Sequence, residues 1–265
     1  MGAGRMATAL ARGLVRAEMV PASAIVASEP SLEAQQAFSR EVPGAVVEAD
    51  IAPLVGQTDV VFLAVKPQHI GAALDALRES IRSDALVVSI AAGVTIQRMA
   101  DALPPGQRIV RVMPNTPCLI GKGASGYSLG EHAKPVDGKL VADLLSAVGA
   151  AFEVPESSLD AVTGLSGSGP AFVYSMIEAL AAGGVAVGLP AELAAELAAR
   201  TAAGAAEMVL QTGETPAVLR ERVTSPGGTT LAGLAVLTER KFADAIAAAV
   251  EAATKRSAEL GRATK

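Results

Sequence analysis

The sequence predicts two domains of different class, an α/β domain in the first half of the chain and an all-α domain in the second. Three observations support this division. Short apolar segments alternate with helical patterns up to residue 112, a glycine turn opens the chain, and no strand pattern follows residue 155. Such alternation is typical of a mostly parallel sheet with helices on both faces. We place the boundary where the composition changes, so the predicted domains are 1–155 and 156–265.

The first domain contains four apolar runs that we interpret as strands. They are short and rich in Val, Ile and Leu, which is typical of strands buried in a parallel sheet. The predicted strands are 24–28, 60–65, 86–90 and 108–112. The predicted helices between them are 8–16, 31–38, 69–82 and 96–103, with Ser31 as a cap.

The second domain is predicted to contain helices alone, and these are rich in alanine. The predicted helices are 171–187, 191–211, 216–223, 229–239 and 242–260. Hydrophobic residues make up 51% of the chain but aromatic residues only 3%, with no Trp. Small side chains bury little area each, so we expect a homo-oligomer to supply additional stability.

Charge and cysteine content narrow the class of protein. The net charge is −5 and the pI about 5.2, with no basic run of the kind that binds nucleic acid. Cys118 is the single cysteine, so no internal disulfide is possible, which favours a reducing compartment and the cytoplasm. We find no leader before the first glycine turn and no uninterrupted apolar run, so no membrane partner is expected. No residue cluster has metal-ligand spacing, so no metal is expected.

The glycine turn at residues 2–7 is a candidate dinucleotide-binding loop, because GAGRMA matches the G-x-G-x-x-A fingerprint of the Rossmann fold. The expected cofactor contacts of this turn are Gly2, Gly4, Arg5 and Met6. The fingerprint normally follows a strand, but here it follows Met1 directly. We therefore expect the natural chain to carry several more apolar residues that form a first strand. An ordinary turn is the alternative interpretation.

Loops at the ends of the later predicted strands should meet the same ligand, because open α/β sheets bind ligands at the carboxyl ends of their strands. The residues expected to contact the cofactor there are Ser28, Glu29, Ala64, Val65, Lys66, Pro67, Ala92, Gly93 and Asn115. The side-chain amide of Asn115 can both donate to and accept from a carboxamide. Ordinary turn chemistry is the alternative for any one of these loops.

Glu29 bears on the choice between NADH and NADPH. An acidic side chain at the end of the second strand can bind the ribose hydroxyls, and its charge repels a 2′-phosphate. The neighbouring residues 28–31, SEPS, contain no basic side chain that could compensate. This pattern favours NADH, and the alternative is an ordinary solvated glutamate.

Two loops rich in glycine and small hydroxyl residues precede helices of the second domain. They are TGLSGSGPA at residues 163–171 and VTSPGGTT at residues 223–230. Glycine lets the backbone approach a ligand closely, and the free N–H groups of a helix start attract an anion. We therefore expect a pocket for a small carboxylate. Together with the dinucleotide turn, this pocket indicates a reductase.

These motifs together resemble the pyrroline-5-carboxylate reductase family, from Gly2 to about Leu260. The most specific segments are DAVTGLSGSGPA at 160–171 and VTSPGGTT at 223–230, and AVKP, AAGVT and NTP at 64–67, 91–95 and 115–117 match in order and spacing. One departure is that the segment around Asp50 and Ile51 lacks the Asn that often helps to hold the cofactor in this family.

The resemblance implies hydride transfer from NADPH or NADH to 1-pyrroline-5-carboxylate, giving L-proline. It also implies a Rossmann domain and a C-terminal dimerisation domain that interlocks with a partner subunit, in homodimers that often assemble into homodecamers. Ser168 and Gly169 would face the cofactor, and Thr230 would be the catalytic residue near the ring nitrogen of the substrate. The implied substrate-binding residues are Ser225, Gly227, Gly228, Thr229 and Thr230.

Other interpretations stay open at this point. A β-hydroxyacid dehydrogenase shares the two-domain plan, but it generally uses a lysine on a helix of the second domain, and residues 171–211 contain no lysine. A non-catalytic NAD(P)-binding protein would need the first glycine turn but not the loop at 225–230. An all-helical interaction module with an incidental α/β domain is a third possibility.

Overall fold

The computed structural model describes residues 1–50 and 52–263. The chain forms two compact units, one made of Met1–Ser168 with Ala252–Lys265 and the other of Gly169–Glu251. The two units therefore divide after Ser168, whereas the change in composition suggested a domain boundary at residue 155. The domain boundary predicted from the sequence stays a prediction. Ile51, one of the residues where the sequence departs from the family pattern, lies outside the described residues. Residues 264 and 265, the end of the predicted second domain, also lie outside them.

All strands of the described residues belong to the first unit. They are β1 Val26–Ser28, β2 Val46–Glu48, β3 Val60–Leu63, β4 Leu86–Ser89, β5 Arg108–Met113, β6 Gly123–Leu129 and β7 Gly149–Glu153. They form a two-stranded parallel sheet, β1-β2, and a five-stranded sheet in the order β3-β4-β5-β6-β7. The four predicted strands are confirmed within a residue or two at each end.

The helices follow the same alternation in the first unit and continue without strands in the second. They are α1 Arg5–Arg16, α2 Leu32–Glu41, α3 Ala52–Val55, α4 Ile70–Arg78, α5 Ile96–Ala102, α6 Pro135–Ser146, α7 Leu159–Val162, α8 Gly169–Ala186, α9 Ala191–Thr212, α10 Pro216–Arg222, α11 Thr229–Glu239 and α12 Phe242–Ala263. Ser31 caps α2 as predicted, since its side chain accepts a hydrogen bond from the amide of Ala34. A π-helical turn, Thr163–Gly167, separates α7 from α8.

The larger sheet is parallel except at one place, where β5 and β6 run antiparallel. The connection at 114–122 is too short for a crossover, which needs roughly a dozen residues or more between parallel neighbours. Three strands were not predicted, namely the three-residue β2 and the longer β6 and β7. For β6 and β7 the reason lies in their composition. Their sequences, GASGYSL and GAAFE, are rich in Gly, Ala and Ser, which are poor indicators of a strand.

The core of the first unit lies on both faces of the larger sheet. This is the arrangement expected for a mostly parallel sheet that lies between two layers of helices. β4 is buried along its whole length. Val87 packs with Leu77 of α4 and Met99 of α5 in one cluster, whereas its neighbour Val88 packs with Leu145 of α6 in another. Because successive side chains of a strand point to opposite faces, this split confirms the predicted helices on both faces.

The second unit leaves most of its apolar surface uncovered. Its only buried described residues are Ala194 and Ala198 of α9. A side chain built on Gly184 of α8 would lie 3.1 Å from the Cβ atom of Ala194, so small residues let α8 and α9 approach closely. Large apolar side chains of α8 and α11 remain exposed, including Tyr174 and Val236. Such a surface is typical of one that meets another subunit.

One helical stretch, Glu156–Ala186, is long and apolar enough to cross a membrane by length and composition alone. None of its most apolar window is buried inside this chain. A single stretch of this kind is weak evidence for a membrane span, because subunit-contact helices have the same composition. The expectation of no membrane partner stays a prediction.

Candidate active site

The glycine turn lies against the carboxyl ends of β1 and β3. The amide of Gly2 donates to the carbonyl oxygen of Ser28 over 2.8 Å, and Gly2 has a positive φ of 89°. A Cβ atom at Gly2 would lie only 2.8 Å from the carbonyl oxygen of Ala64, so this position requires glycine. The sequence analysis expected Gly2, Ser28 and Ala64 at one site, and the structure brings these three together.

The start of α1 has the features of an anion site. Gly4 is the N-cap residue, and no side chain caps the helix. Nothing lies within 4 Å of a Cβ atom built on Gly4, the residue that precedes the first-turn residues Arg5 and Met6. Uncapped N–H groups at the start of a 12-residue helix attract phosphate groups. These residues therefore fit the pyrophosphate of a dinucleotide.

Glu29 lies beside the same turn. Its carboxylate accepts a hydrogen bond from the amide of Ala3 over 3.1 Å and another from the amide of Ser31 over 3.2 Å. Burial lowers the pKa of the amino group of Met1 to about 6, while the charge of Glu29 acts in the opposite direction. Two backbone amides thus hold the carboxylate of Glu29 at the turn.

The loops after β3 and β4 lie along the same edge of the sheet. Lys66 is exposed and precedes a single 3-10 turn, Pro67–His69. Gly93 has a positive φ of 74°, and a Cβ atom built there would lie 3.6 Å from the backbone nitrogen of Gly261. The end of α12 therefore packs against the loop that contains Ala92 and Gly93. This contact joins residues far apart in the chain, and nothing in the sequence predicts it.

Asn115 follows β5 and is only 8% exposed. Its side-chain Nδ2 donates to the carbonyl oxygen of Ser166 over 3.1 Å, and its Oδ1 accepts from the amide of Ala124 over 2.9 Å. These two bonds occupy the side-chain donor and acceptor of Asn115 that we expected to bind a carboxamide of the cofactor. The predicted contact of Asn115 with the cofactor stays a prediction, and the structure assigns its amide to holding the π-helical turn.

The π-helical turn is shaped by a second close contact. A Cβ atom on Gly167 would lie 2.6 Å from the Cε atom of Met113, so glycine permits the turn to pack against the end of β5. The amide of Ser168 donates to the carbonyl oxygen of Thr163 over 2.8 Å. π-Turns inside helices are frequent at functional sites. Ser168 ends the first unit and Gly169 begins the second.

We expect Asn115→Asp to lower kcat/KM about tenfold, because a carboxylate cannot donate to the Ser166 carbonyl and one such lost bond costs about 1–3 kcal/mol. The measurement is steady-state kinetics together with thermal unfolding. Gln107→Glu is the matched control, since Nε2 of the buried Gln107 donates to the Ala85 carbonyl at the opposite edge of the sheet. If both variants lose stability alike and Asn115→Asp keeps its kcat/KM, Asn115 has only a structural role.

The loop before α11 contains the residues for which the sequence predicts a carboxylate site, and this role stays a prediction. Gly227 has a positive φ of 70°, and the amide of Gly228 donates to the carbonyl oxygen of Ser225. A Cβ atom on Gly228 would lie 2.4 Å from the hydroxyl oxygen of Ser225, so a side chain here would displace that hydroxyl. Gly228 is the N-cap of α11, no side chain caps the helix, and Thr230 is half-buried in its first turn.

The structure thus groups most of the predicted cofactor residues at one edge of the first unit, where β1, β3, β4 and β5 end. The predicted substrate residues, Ser225 to Thr230, lie together in the second unit, in the loop before α11 and in the first turn of that helix. The contacts of Ala3, Met113 and Gly261 were not predicted. Ala3 lies in the predicted glycine turn and Met113 directly after a predicted strand, whereas nothing near Gly261 in the sequence signals its contact. The described residues contain no group of three or more His, Cys, Asp or Glu side chains that could hold a metal ion.

Comparison with known proteins identifies the family. The family model described as pyrroline-5-carboxylate reductase dimerisation matches residues 156–260, and one described as NADP oxidoreductase, coenzyme F420-dependent, matches residues 1–93. A pyrroline-5-carboxylate reductase of Methanosarcina acetivorans is 46% identical over 99% of this chain and 97% of its own length. The chain belongs to the pyrroline-5-carboxylate reductase family. The resemblance inferred from the motifs is therefore confirmed.

Other members of the family agree over similar lengths. The pyrroline-5-carboxylate reductase of Arabidopsis thaliana is 45% identical over 99% of this chain and 94% of its own. The Coxiella burnetii pyrroline-5-carboxylate reductase structure has a TM-score of 0.91 at 35% identity, covering 98% of this chain and 96% of that one. The Plasmodium falciparum reductase, with NADP bound, has a TM-score of 0.87 at 33% identity over the same shares. These matches confirm a Rossmann-type domain with a helical dimerisation domain and an NAD(P)H-dependent oxidoreductase.

Proposed function

We propose that this chain reduces 1-pyrroline-5-carboxylate to L-proline with NAD(P)H. The observation that carries the proposal is the uncapped start of α11 behind the loop at 225–230, in a chain whose relatives bear the name of this activity. When bound, the nicotinamide supplies the hydride that adds to C5 of the substrate ring. The chain supplies positioning and electrostatics, which are the main protein contributions to cofactor chemistry.

The substrate carboxylate binds at the start of α11 in this proposal. The hydroxyl of Ser225 and the amide of Thr229 are donors that a carboxylate accepts well, and the free N–H groups of the 11-residue helix add to the attraction. The positive φ of Gly227 lets the backbone turn within this loop. This loop fixes one end of the substrate and leaves the ring free for reduction.

Thr230 acts at the ring nitrogen. A protonated imine accepts a hydride more readily than a neutral one, because the positive charge is neutralised in the transition state. The Thr230 hydroxyl accepts a hydrogen bond from the iminium N–H or relays a proton to that nitrogen. A hydroxyl has both a donor and two acceptor positions, so one side chain serves either role.

The choice of cofactor follows from Glu29. Its carboxylate is held by the amides of Ala3 and Ser31, beside the place where the adenosine ribose binds in a Rossmann fold. We propose that its charge favours NADH over NADPH. The structure of the Plasmodium falciparum relative has NADP bound, so with this preference the chain would differ from that relative.

We expect Glu29→Gln to raise the ratio of kcat/KM for NADPH to that for NADH by about tenfold, because one close unit-charge repulsion at an effective dielectric of 20 is worth a few kcal/mol before screening. Parallel kinetics with the two cofactors measure the ratio. Glu33→Gln is the matched control, since Glu33 is an exposed glutamate in the first turn of α2. An unchanged ratio in Glu29→Gln would refute the role of Glu29.

The proposal also covers assembly and location. The second unit pairs with a second copy, in a homodimer or in a higher homo-oligomer such as a homodecamer, in the cytoplasm. The exposed apolar surface of α8 and α11 supports pairing, since contiguous exposed apolar surface marks subunit contacts. Sedimentation of the purified protein distinguishes dimer from decamer.

The decisive experiment is oxidation of NADH and of NADPH in the presence of 1-pyrroline-5-carboxylate, with proline identified as the product. Turnover with proline formation supports the proposal. Cofactor binding without turnover or substrate binding favours the non-catalytic NAD(P)-binding protein. Turnover of a β-hydroxyacid instead of the cyclic imine favours the rival dehydrogenase, despite the absence of lysine from residues 171–211.

A further inference from the structure

The helix α12 belongs to both units of the chain. Its residues 242–251 lie in the second unit, whereas residues 252–263, which we call the end of α12, lie in the first. Within this end Ser257 is only 7% exposed, although its neighbours Lys255 and Arg256 are exposed. Because buried hydroxyl groups are hydrogen-bonded, Ser257 identifies the face of α12 that packs onto the first unit.

The hydroxyl of Ser257 donates to the carboxylate of Asp160 in α7 over 2.7 Å. A serine inside a helix can instead donate to the carbonyl four residues before it, a bond that joins nothing beyond its own helix. A hydrogen bond to an ionised carboxylate is roughly twice as strong as one between neutral groups. This bond therefore attaches the end of α12 to α7, which continues directly into the π-helical turn Thr163–Gly167.

The same face of α12 contacts the loop after β4. A Cβ atom built on Gly93 would lie 3.6 Å from the backbone nitrogen of Gly261, and one built on Gly261 would lie 3.5 Å from the carbonyl oxygen of Gly93. Two glycines thus let main chain approach main chain. Ser257 and Gly261 are at positions i and i+4 of the helix, which share one face. One face of α12 therefore contacts α7 and the loop at 91–95 at once.

Glu156 joins the loop at 91–95 to the α7 segment directly. It opens the 3-10 turn before α7, and its Oε1 accepts from the amide of Ile96 over 2.7 Å and from Nη1 of Arg111 over 3.1 Å. Ile96 follows the loop as the first residue of α5, and Arg111 belongs to β5 and is 8% exposed. The loop at 91–95, the α7 segment and the end of α12 are therefore connected pairwise.

These three segments lie on one side of the glycine turn. Gly2 contacts Ser28 and Ala64, at the ends of β1 and β3, and the loop at 91–95 follows β4, the next strand beyond β3. A doubly wound fold binds one mononucleotide half of a dinucleotide on each side of this turn. With the adenosine half beside Glu29, the nicotinamide half meets the loops after β3, β4 and β5.

We propose that Ser257 and Gly261 are positioning residues for the nicotinamide half of the cofactor, an inference that rests on the proposed function. They act through the loop at 91–95 and the π-helical turn, which they hold in the arrangement that receives the nicotinamide. Without the bond of Ser257 a smaller fraction of the protein has this arrangement, and the apparent affinity falls with that fraction. The adenosine half binds at Glu29 and the start of α1 and keeps its affinity.

The test measures Kd by calorimetric titration of NADH, of NADPH and of ADP-ribose, which lacks only the nicotinamide of NADH. In Ser257→Ala we expect the Kd of both dinucleotides to rise about tenfold, since a bond to a charged group is lost, and the Kd of ADP-ribose to change less than about twofold. Ser80→Ala is the matched control and should change neither, because the Ser80 hydroxyl donates to the carbonyl oxygen of Ala76 at the end of α4.

Two changes at Asp160 test the bond itself. Asp160→Asn should keep the Kd of the dinucleotides within about threefold, because an amide oxygen still accepts from the Ser257 hydroxyl. Asp160→Ala should weaken binding about tenfold. The double variant Ser257→Ala with Asp160→Ala should be no weaker than Asp160→Ala alone, because the two changes remove one interaction.

A lower Tm in Ser257→Ala with unchanged Kd values would show that the bond is only structural and would overturn the inference. An equal loss of affinity for ADP-ribose would overturn it too, because the effect would then not be confined to the nicotinamide half. The titrations need no turnover. A chain that binds the dinucleotides with the expected differences but reduces no 1-pyrroline-5-carboxylate contradicts the proposed function alone, and one that binds no dinucleotide contradicts both.

Discussion

Replacing Thr230 by valine lowers kcat by about a hundredfold or more while the KM for the substrate changes little. The expected size follows from the contribution of a positioned proton-transfer group, which is about 10² to 10⁴ in rate. Valine keeps the shape of threonine and removes the hydroxyl, so α11 should form as before. Thr230→Ser should retain most of the turnover, because serine keeps the oxygen.

The matched control for this experiment is Thr238→Val. Thr238 is exposed on the same helix, and its hydroxyl donates to the carbonyl oxygen of Leu234. Its loss should leave both kcat and KM unchanged. Steady-state kinetics over a range of substrate concentrations separate the two constants. A raised KM with unchanged kcat in Thr230→Val would mean that Thr230 contributes only uniform binding, and the catalytic role would be refuted.

Val236→Asp in α11 abolishes assembly and, with it, turnover. Val236 is 54% exposed in the isolated chain, and α11 has no residue buried within it. We expect a second copy to cover this surface, in which case the new carboxylate is desolvated without a partner. The cost of several kcal/mol corresponds to a loss of association of about a hundredfold or more.

Sedimentation and turnover per subunit, measured at the same protein concentrations, test this expectation. Gln36→Asp is the matched control, because Gln36 is an exposed polar residue of α2 in the first unit, where an added carboxylate stays solvated. An unchanged assembly in Val236→Asp would remove α11 from the interface. A dissociated variant with full turnover per subunit would show that the active site needs one chain only.

Several helices and strands were predictable because their ends are set by neighbouring residues in the sequence. The predicted helix 229–239 coincides with α11, because the preceding glycine residues and the apolar pattern define its ends within a few residues. The buried strands β3, β4 and β5 were equally clear. The helix predicted at 69–82 ends instead at Arg78, and α1 begins earlier than expected, at Arg5, because Gly4 lets the helix start without a side-chain cap.

The sequence by itself determined the alternation of strands and helices, the glycine turn at the edge of the sheet, the loop before α11 and the family. These features depend on short-range patterns, since strand periodicity, turn residues and helix starts are set by neighbouring residues. Only the tertiary structure decided that Glu29 bonds to Ala3 and that Asn115 holds the π-helical turn at Ser166. Those contacts join residues far apart in the chain, and packing of the whole unit, which no local pattern records, brings them together.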